Sequence, residues 1–155
     1  MKVGFDSSVL VAGAAEFHEH FDCAMRWLHA ARDGELEAYA TTHAFAETWW
    51  KLTALPIEPR MPTGDVKKIL DRMSQWVHRE DLVWNDYEAA MLRCSERNVR
   101  SGAIYDALHL VAAERLGASI LLTFNTKHFT RLVGPNSPRI LAPPDPPGLD
   151  LPPSA

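Results

Sequence analysis

Lys2-Val3-Gly4-Phe5-Asp6-Ser7-Ser8-Val9-Leu10-Val11-Ala12 stands at the head of the chain. A short apolar run stops at an acid and two serines, and a second apolar run follows. A buried strand, a polar turn able to cap a helix, and the helix itself account for that order. The pattern returns twice. Leu36 to Ala40 predicts a second strand, after which Thr41 and Thr42 cap a helix from about His43 to Leu55. Ser119 to Thr123 predicts another strand, with Asn125 capping a short helix behind it.

Helices fill the intervals. Phe21, Ala24, Met25, Leu28 and Ala31 fall at helical spacing, and Gly34 can close that helix. Pro56, Pro59 and Pro62 mark a loop, and Val66, Ile69, Leu70, Met73, Trp76 and Val77 give the next amphipathic stretch. Asp81 to Trp84 reads as a short strand, with Asn85 capping a helix that reaches about Asn98. Ala103 to Leu116 is a helix closed by Gly117, and Arg139 to Leu141 a last edge strand. Strands and helices alternate, with connections long enough to cross over. That order predicts a three-layer α/β sandwich around a mostly parallel sheet of four or five strands. One domain is expected over 1–142. Residues 143–155 hold six of the eleven prolines and no apolar period, and read as a disordered tail.

Composition narrows the function classes. With 155 residues, 46% hydrophobic and 23% charged, the chain can build an ordinary core and needs no disulfide framework. No run approaches the ~20 apolar residues of a membrane helix. Val9 to Ala15 imitates an export signal, but Asp6 shortens it, and a cytoplasmic location is expected. Cys23 and Cys94 show no metal or redox spacing and read as reduced thiols. A net charge of −4 excludes binding of duplex nucleic acid by bulk charge. A nucleic-acid role needs a local basic patch, or a metal that reverses the sign of an acidic site. Eleven of the sixteen cations are Arg, which suits phosphate contacts.

In open parallel sheets, ligands sit beyond the carboxyl ends of the strands. Asp6 and the segment Thr123-Phe124-Asn125 occupy such ends, and no glycine-rich phosphate loop follows either strand. Asp6 reads equally well as a helix cap. Asp106 is more telling. Between Ala103 and Ala113 the helix is almost entirely apolar, with Tyr105, Asp106 and His109 as exceptions. A carboxylate there must be paired, metal-bound or protonated, or else be a first-turn acid favoured by the helix dipole. His43, Glu47 and Lys51 lie four apart and fit a solvated stripe, with Phe45, Trp49 and Leu52 as the core face. Trp49 and Trp50 cannot share one narrow stripe, which leaves one for an interface. His18-Glu19-His20 lacks the spacing of a zinc hydrolase and reads as a surface pair.

Four segments stand in a telling order: Phe5-Asp6-Ser7-Ser8-Val9, Ala46-Glu47, Tyr105-Asp106-Ala107-Leu108-His109 and Leu122-Thr123-Phe124-Asn125. Together they resemble the PIN-domain nucleases, in particular the VapC-type toxins of bacterial toxin–antitoxin modules, over about residues 2–142. The resemblance implies an acidic pocket that binds Mg2+ or Mn2+ and cuts RNA. Asp6, Glu47, Asp106 and Asn125 match its catalytic positions, with Asp6, Asp106 and Glu47 as metal ligands. Ser8 and Thr123 would position phosphate or water. Position 125 departs from the family, which has Asp there; the Asn amide can orient a water or phosphate oxygen but adds no charge. A homodimer and a cognate antitoxin are further implications.

Arg93, Arg97 and Arg100 on one side of the site segments, and Lys127 and Arg131 on the other, are the candidate RNA contacts. Other readings are a PIN nuclease of RNA processing without an antitoxin, an inactive PIN-like RNA-binding module, and an unrelated α/β protein whose acids are caps and surface groups.

Overall fold

A computed structural model describes residues 1–144. Strand β1 (Lys2–Phe5) lies at the centre of a five-stranded, all-parallel sheet. On one side it pairs with β2 (Glu37–Thr41), which pairs with β3 (His78–Glu80). On the other it pairs with β4 (Ile120–Leu122), which pairs with β5 (Arg139–Leu141). The order β3-β2-β1-β4-β5 reverses direction between β1 and β4. Ligand crevices open at such a reversal, at the carboxyl ends of the strands.

Alternation along the strands sorts the two cores. Val3, Phe5, Ala38, Ala40, Ile120 and Leu122 face one layer, made of α1 (Ser7–Ala14), α2 (Phe21–Arg32), α3 (Thr42–Thr53) and α4 (Thr63–Met73). Leu121 faces the other, made of α5 (Trp84–Glu96), α6 (Ala103–Arg115) and α7 (Thr126–Thr130). The three-layer sandwich is the expected architecture. Among the described residues no helix is long and apolar enough to cross a membrane.

Gly4 in the central strand is explained by its neighbour on β2. A Cβ there would lie 2.6 Å from the Tyr39 hydroxyl and 2.9 Å from a Leu121 methyl. The Tyr39 hydroxyl is buried without a hydrogen-bond partner among the described residues, and burial pushes its pKa up. An unsatisfied buried hydroxyl is a cost, so Tyr39→Phe should raise stability by about 1 kcal/mol in urea unfolding. A loss of that size would mean that the hydroxyl is satisfied in solution.

Several local expectations are corrected. The third strand is His78–Glu80, not Asp81 to Trp84. It is a polar, largely exposed edge strand, aligned by pairing Tyr39 with His78 and Thr41 with Glu80, and has no apolar pattern to reveal it. Asn85 lies inside α5, which Val83 precedes; the Asp86 carboxylate accepts from the Val83 N–H at 2.9 Å. Arg115 holds that buried carboxylate through Nε and Nη2, each at 2.9 Å. On α3 the buried residues are Ala44, Thr48 and Leu52, so Trp49 turns outward along with Trp50. Small side chains on that stripe let α3 pack closely on α1, and the Thr48 hydroxyl donates to the Ala44 carbonyl at 2.7 Å.

Cys23 and Cys94 form no disulfide. Of the segment expected as a tail, Pro143 and Pro144 lie against α2, where their carbonyls accept from Cys23 Sγ and from Trp27 Nε1 at 2.9 Å. The rest of that segment lies outside the described residues.

Candidate active site

Asp6 directly follows β1 and its backbone N–H donates to the Leu122 carbonyl at 3.0 Å, joining the carboxyl ends of β1 and β4. Its carboxylate is nearly buried. Oδ2 accepts from Thr123 Oγ1 at 2.8 Å, from Ser8 Oγ at 2.9 Å and from the Ser8 N–H at 3.4 Å. The last contact makes Asp6 the N-cap of α1, so the cap and site readings hold together. All three bonds fall on Oδ2, and Oδ1 receives none from the described residues. Ser8 Oγ also accepts from the Phe124 N–H, and Thr123 Oγ1 from the Asn125 N–H, both at 3.0 Å. Ser8 and Thr123 thus fix Asp6 and the turn after β4 as one unit.

Glu47 comes from α3, whose first turn is capped by Thr41 Oγ1 on the Ala44 N–H at 3.0 Å. His109, fully enclosed on α6, donates from Nε2 to Glu47 Oε1 at 2.8 Å. Its Nδ1 is hydrogen-bonded to Thr41 Oγ1 at 2.9 Å. His43 Nε2 stands 3.2 Å from the same Oε1, while Ser7 Oγ donates to Oε2 at 3.2 Å. Lys51 Nζ donates to Ser7 Oγ at 2.8 Å and lies 3.8 Å from Oε2. Burial pushes the Glu47 carboxyl up, but the His109 hydrogen bond and the charges of His109, Lys51 and His43 outweigh it and hold it below the ordinary carboxylate value. For His109, burial opposes the charged ring. The Glu47 bond and the charges of Asp6, Glu47 and Asp106 prevail and raise its pKa. The solvated stripe expected for Glu47 is instead a half-buried network.

Asp106 lies in the first turn of α6, with Oδ2 3.7 Å from His128 Nδ1. Burial, then the charge of Asp6, pushes its carboxyl above the ordinary value, with Glu47 adding and His128 and His109 opposing. Asp106 on α6 therefore sits in the field of both Asp6, just after β1, and Glu47 on α3. Among the described residues no three His, Cys, Asp or Glu side chains already stand as a ligand set. The donors nevertheless suit a hard divalent cation, which prefers oxygen, keeps several waters and takes one or two carboxylates. Asp6 Oδ1 accepts no hydrogen bond from the described residues, and Asp106 carries a repulsion that a cation would relieve.

The family model of the PIN domain matches residues 4–134. The chain is a PIN-domain protein. Over 117 residues it is 33% identical to Ribonuclease VapC40 of Mycobacterium tuberculosis, covering 75% of this chain and 81% of that protein, which places it with the VapC type. VapBC2 of Rickettsia felis, solved on a DNA fragment of its promoter, superposes with a TM-score of 0.66 at 15% identity, over 92% of this chain and 98% of that one. VapC20 of M. tuberculosis, a sarcin–ricin loop-cleaving toxin, gives 0.65 at 17% identity, over 83% and 93%. At these identities the two structures speak for the fold.

Within this PIN domain, Asn125 stands at the N-cap position of α7, but its side chain makes no cap hydrogen bond. The expected cap is corrected: Asn125 is exposed and lines a cavity of about 370 Å³ with Ser8, Lys51, His18 and His20. His20 stacks on Phe124 with ring centroids 4.3 Å apart, so the histidine pair ties its loop to the turn after β4. The basic residues divide. Arg93 grips Glu114 through two nitrogens at 3.0 Å each and donates to the Leu132 carbonyl at 2.8 Å. Arg97 donates to the Val133 carbonyl at 2.6 Å. Both hold α5 against the loop after α7 through these bonds, with Arg97 still exposed. Arg100, Lys127 and Arg131 are exposed.

Four residues of the site went unassigned in the sequence: His109, Ser7, His43 and Lys51. His109 left a trace, since it interrupts an apolar helix one turn after Asp106.

Proposed function

We propose that this PIN domain is a metal-dependent endoribonuclease acting as the toxin of a toxin–antitoxin pair, with Mg2+ or Mn2+ held by Asp6, Asp106 and Glu47. The observation that carries the reading is that Asp106 lies in the field of both Asp6 and Glu47 beside the β1–β4 reversal, with Asp6 Oδ1 accepting no hydrogen bond from the described residues and Asp106 raised by burial and by the Asp6 charge. Bound there, the cation would supply an activated water and neutralise charge building on the scissile phosphate.

The chain's own residues do the rest. Thr123 and Ser8 lock the Asp6 rotamer. His109 keeps Glu47 ionised and aimed. Lys51 and the Asn125 amide, on the wall of the neighbouring cavity, orient phosphate oxygens or water. Asn at 125 places one charge fewer in the pocket than Asp would.

VapC40 is named a ribonuclease, which supports RNA as substrate, and VapC20 a sarcin–ricin loop-cleaving toxin, which supports the toxin reading. The VapBC assemblies among the structural neighbours support a cognate antitoxin. A homodimer is part of the same reading. Val83, Trp84, Tyr87, Met91 and Leu92 leave the outer side of α5 apolar and exposed, as surfaces that meet partners are.

The test is incubation of total RNA with purified protein in Mg2+ or Mn2+, and then with EDTA. Metal-dependent fragments, absent in EDTA, are expected. Folded, antitoxin-free protein that leaves all RNA intact would overturn the reading in favour of an RNA-binding module.

A further inference from the structure

We propose that Trp50 and Tyr105 form a stacking site for an unpaired base of the RNA, next to the carboxylate pocket. The proposal rests on the ribonuclease reading and adds how the strand is gripped beside the reacting phosphate.

One face of α3 presents His43, Ala46, Glu47 and Trp50, at i, i+3, i+4 and i+7. Tyr105 reaches the same place from the first turn of α6 and stacks on the His43 ring, with centroids 4.8 Å apart and planes 15° from parallel. Together these five side chains line a cavity of about 370 Å³. Glu47 belongs both to this cavity and to the acidic pocket, so the two are continuous. Tyr105 directly precedes Asp106, so the aromatic cavity adjoins the acids.

Trp50 is 62% exposed and Tyr105 48%, large ring surfaces left in water at the rim of a polar site. Flat, sequence-tolerant π faces are what single-stranded nucleic acids use, because every base can stack on them. Glu47 is the one carboxylate lining the cavity; it would repel a phosphate and tolerate a neutral base. A base inside a duplex has both faces covered by its neighbours, so the site selects an unstacked nucleotide in a loop or single strand.

The experiment compares wild type, Trp50→Ala and Trp50→Phe, using short fluorescein-labelled single-stranded RNA homopolymers in EDTA and cleavage of total RNA in Mn2+. Trp50→Ala should weaken binding by about 5- to 100-fold, Trp50→Phe should stay close to wild type, and melting temperatures should match, since Trp50 is exposed. Unchanged RNA affinity in Trp50→Ala, with cleavage intact, overturns the stacking site and leaves the ribonuclease reading standing. Unchanged affinity with a dimer converted to monomer in light scattering overturns it in favour of a protein interface. Wild type that neither binds nor cuts single-stranded RNA removes the ribonuclease reading, and the stacking site with it.

Discussion

Asp106→Asn should lower RNA cleavage by about a hundredfold or more and, in EDTA, melt at a higher temperature than wild type. Both halves follow from the same arrangement. Burial and the Asp6 charge raise the Asp106 pKa in the fold. A raised carboxyl contributes stability when protonated at low pH and loses it as pH rises through the folded pKa. Above that pKa the ionised group works against folding, and the neutral amide removes that repulsion while keeping the shape. A divalent cation inverts the balance, because a ligand that binds the native state stabilises it by mass action. Adding Mn2+ should raise the melting temperature of wild type and leave Asp106→Asn nearly unmoved. Differential scanning fluorimetry reads both. A variant less stable than wild type in EDTA would show that Asp106 is a structural ion-pair member.

His109→Leu carries the second large effect: a loss of about 2–3 kcal/mol in urea unfolding, together with a fall in cleavage. Its ring is enclosed, and its two nitrogens join Thr41 at the head of α3 to Glu47 one turn and a half further on. Leucine fills the volume but leaves Thr41 Oγ1 and Glu47 Oε1 without their shared partner. His109 is a positioning residue, so its effect should pass through Glu47. His109→Gln, which keeps hydrogen-bonding atoms at that place, should recover part of both losses. Stability within about 0.5 kcal/mol of wild type, with full cleavage, would contradict the coupling.

The alternation of strands and helices was legible because β1 and β4 are apolar strands directly followed by Asp6 and Thr123, residues that also cap or hydrogen-bond the following turn. Asp106 was legible because the helix around it is apolar. What stayed hidden depends on partners far along the chain. Glu47 and His109 are separated by 62 residues, and nothing local distinguishes their bond from a solvated i,i+4 stripe. Arg93 looks like a free phosphate contact until Glu114 and the Leu132 carbonyl close on it. β3 is exposed and polar, so its pairing with β2 leaves no periodic signal. Trp49 was assigned to the core by spacing, whereas small Ala44 and Thr48 take the buried stripe and allow the closer helix contact.

Whether the proposed site of Asp6, Glu47 and Asp106 holds one divalent cation is read by calorimetric titration of Mn2+ into wild type and Asp6→Asn, without needing the RNA target. Asn caps a helix as well as Asp does, so the variant keeps the start of α1 and the fold. A saturable Mn2+ site in wild type, weakened about 10- to 100-fold in Asp6→Asn, is the predicted result. Equal Mn2+ binding by the two proteins would contradict it.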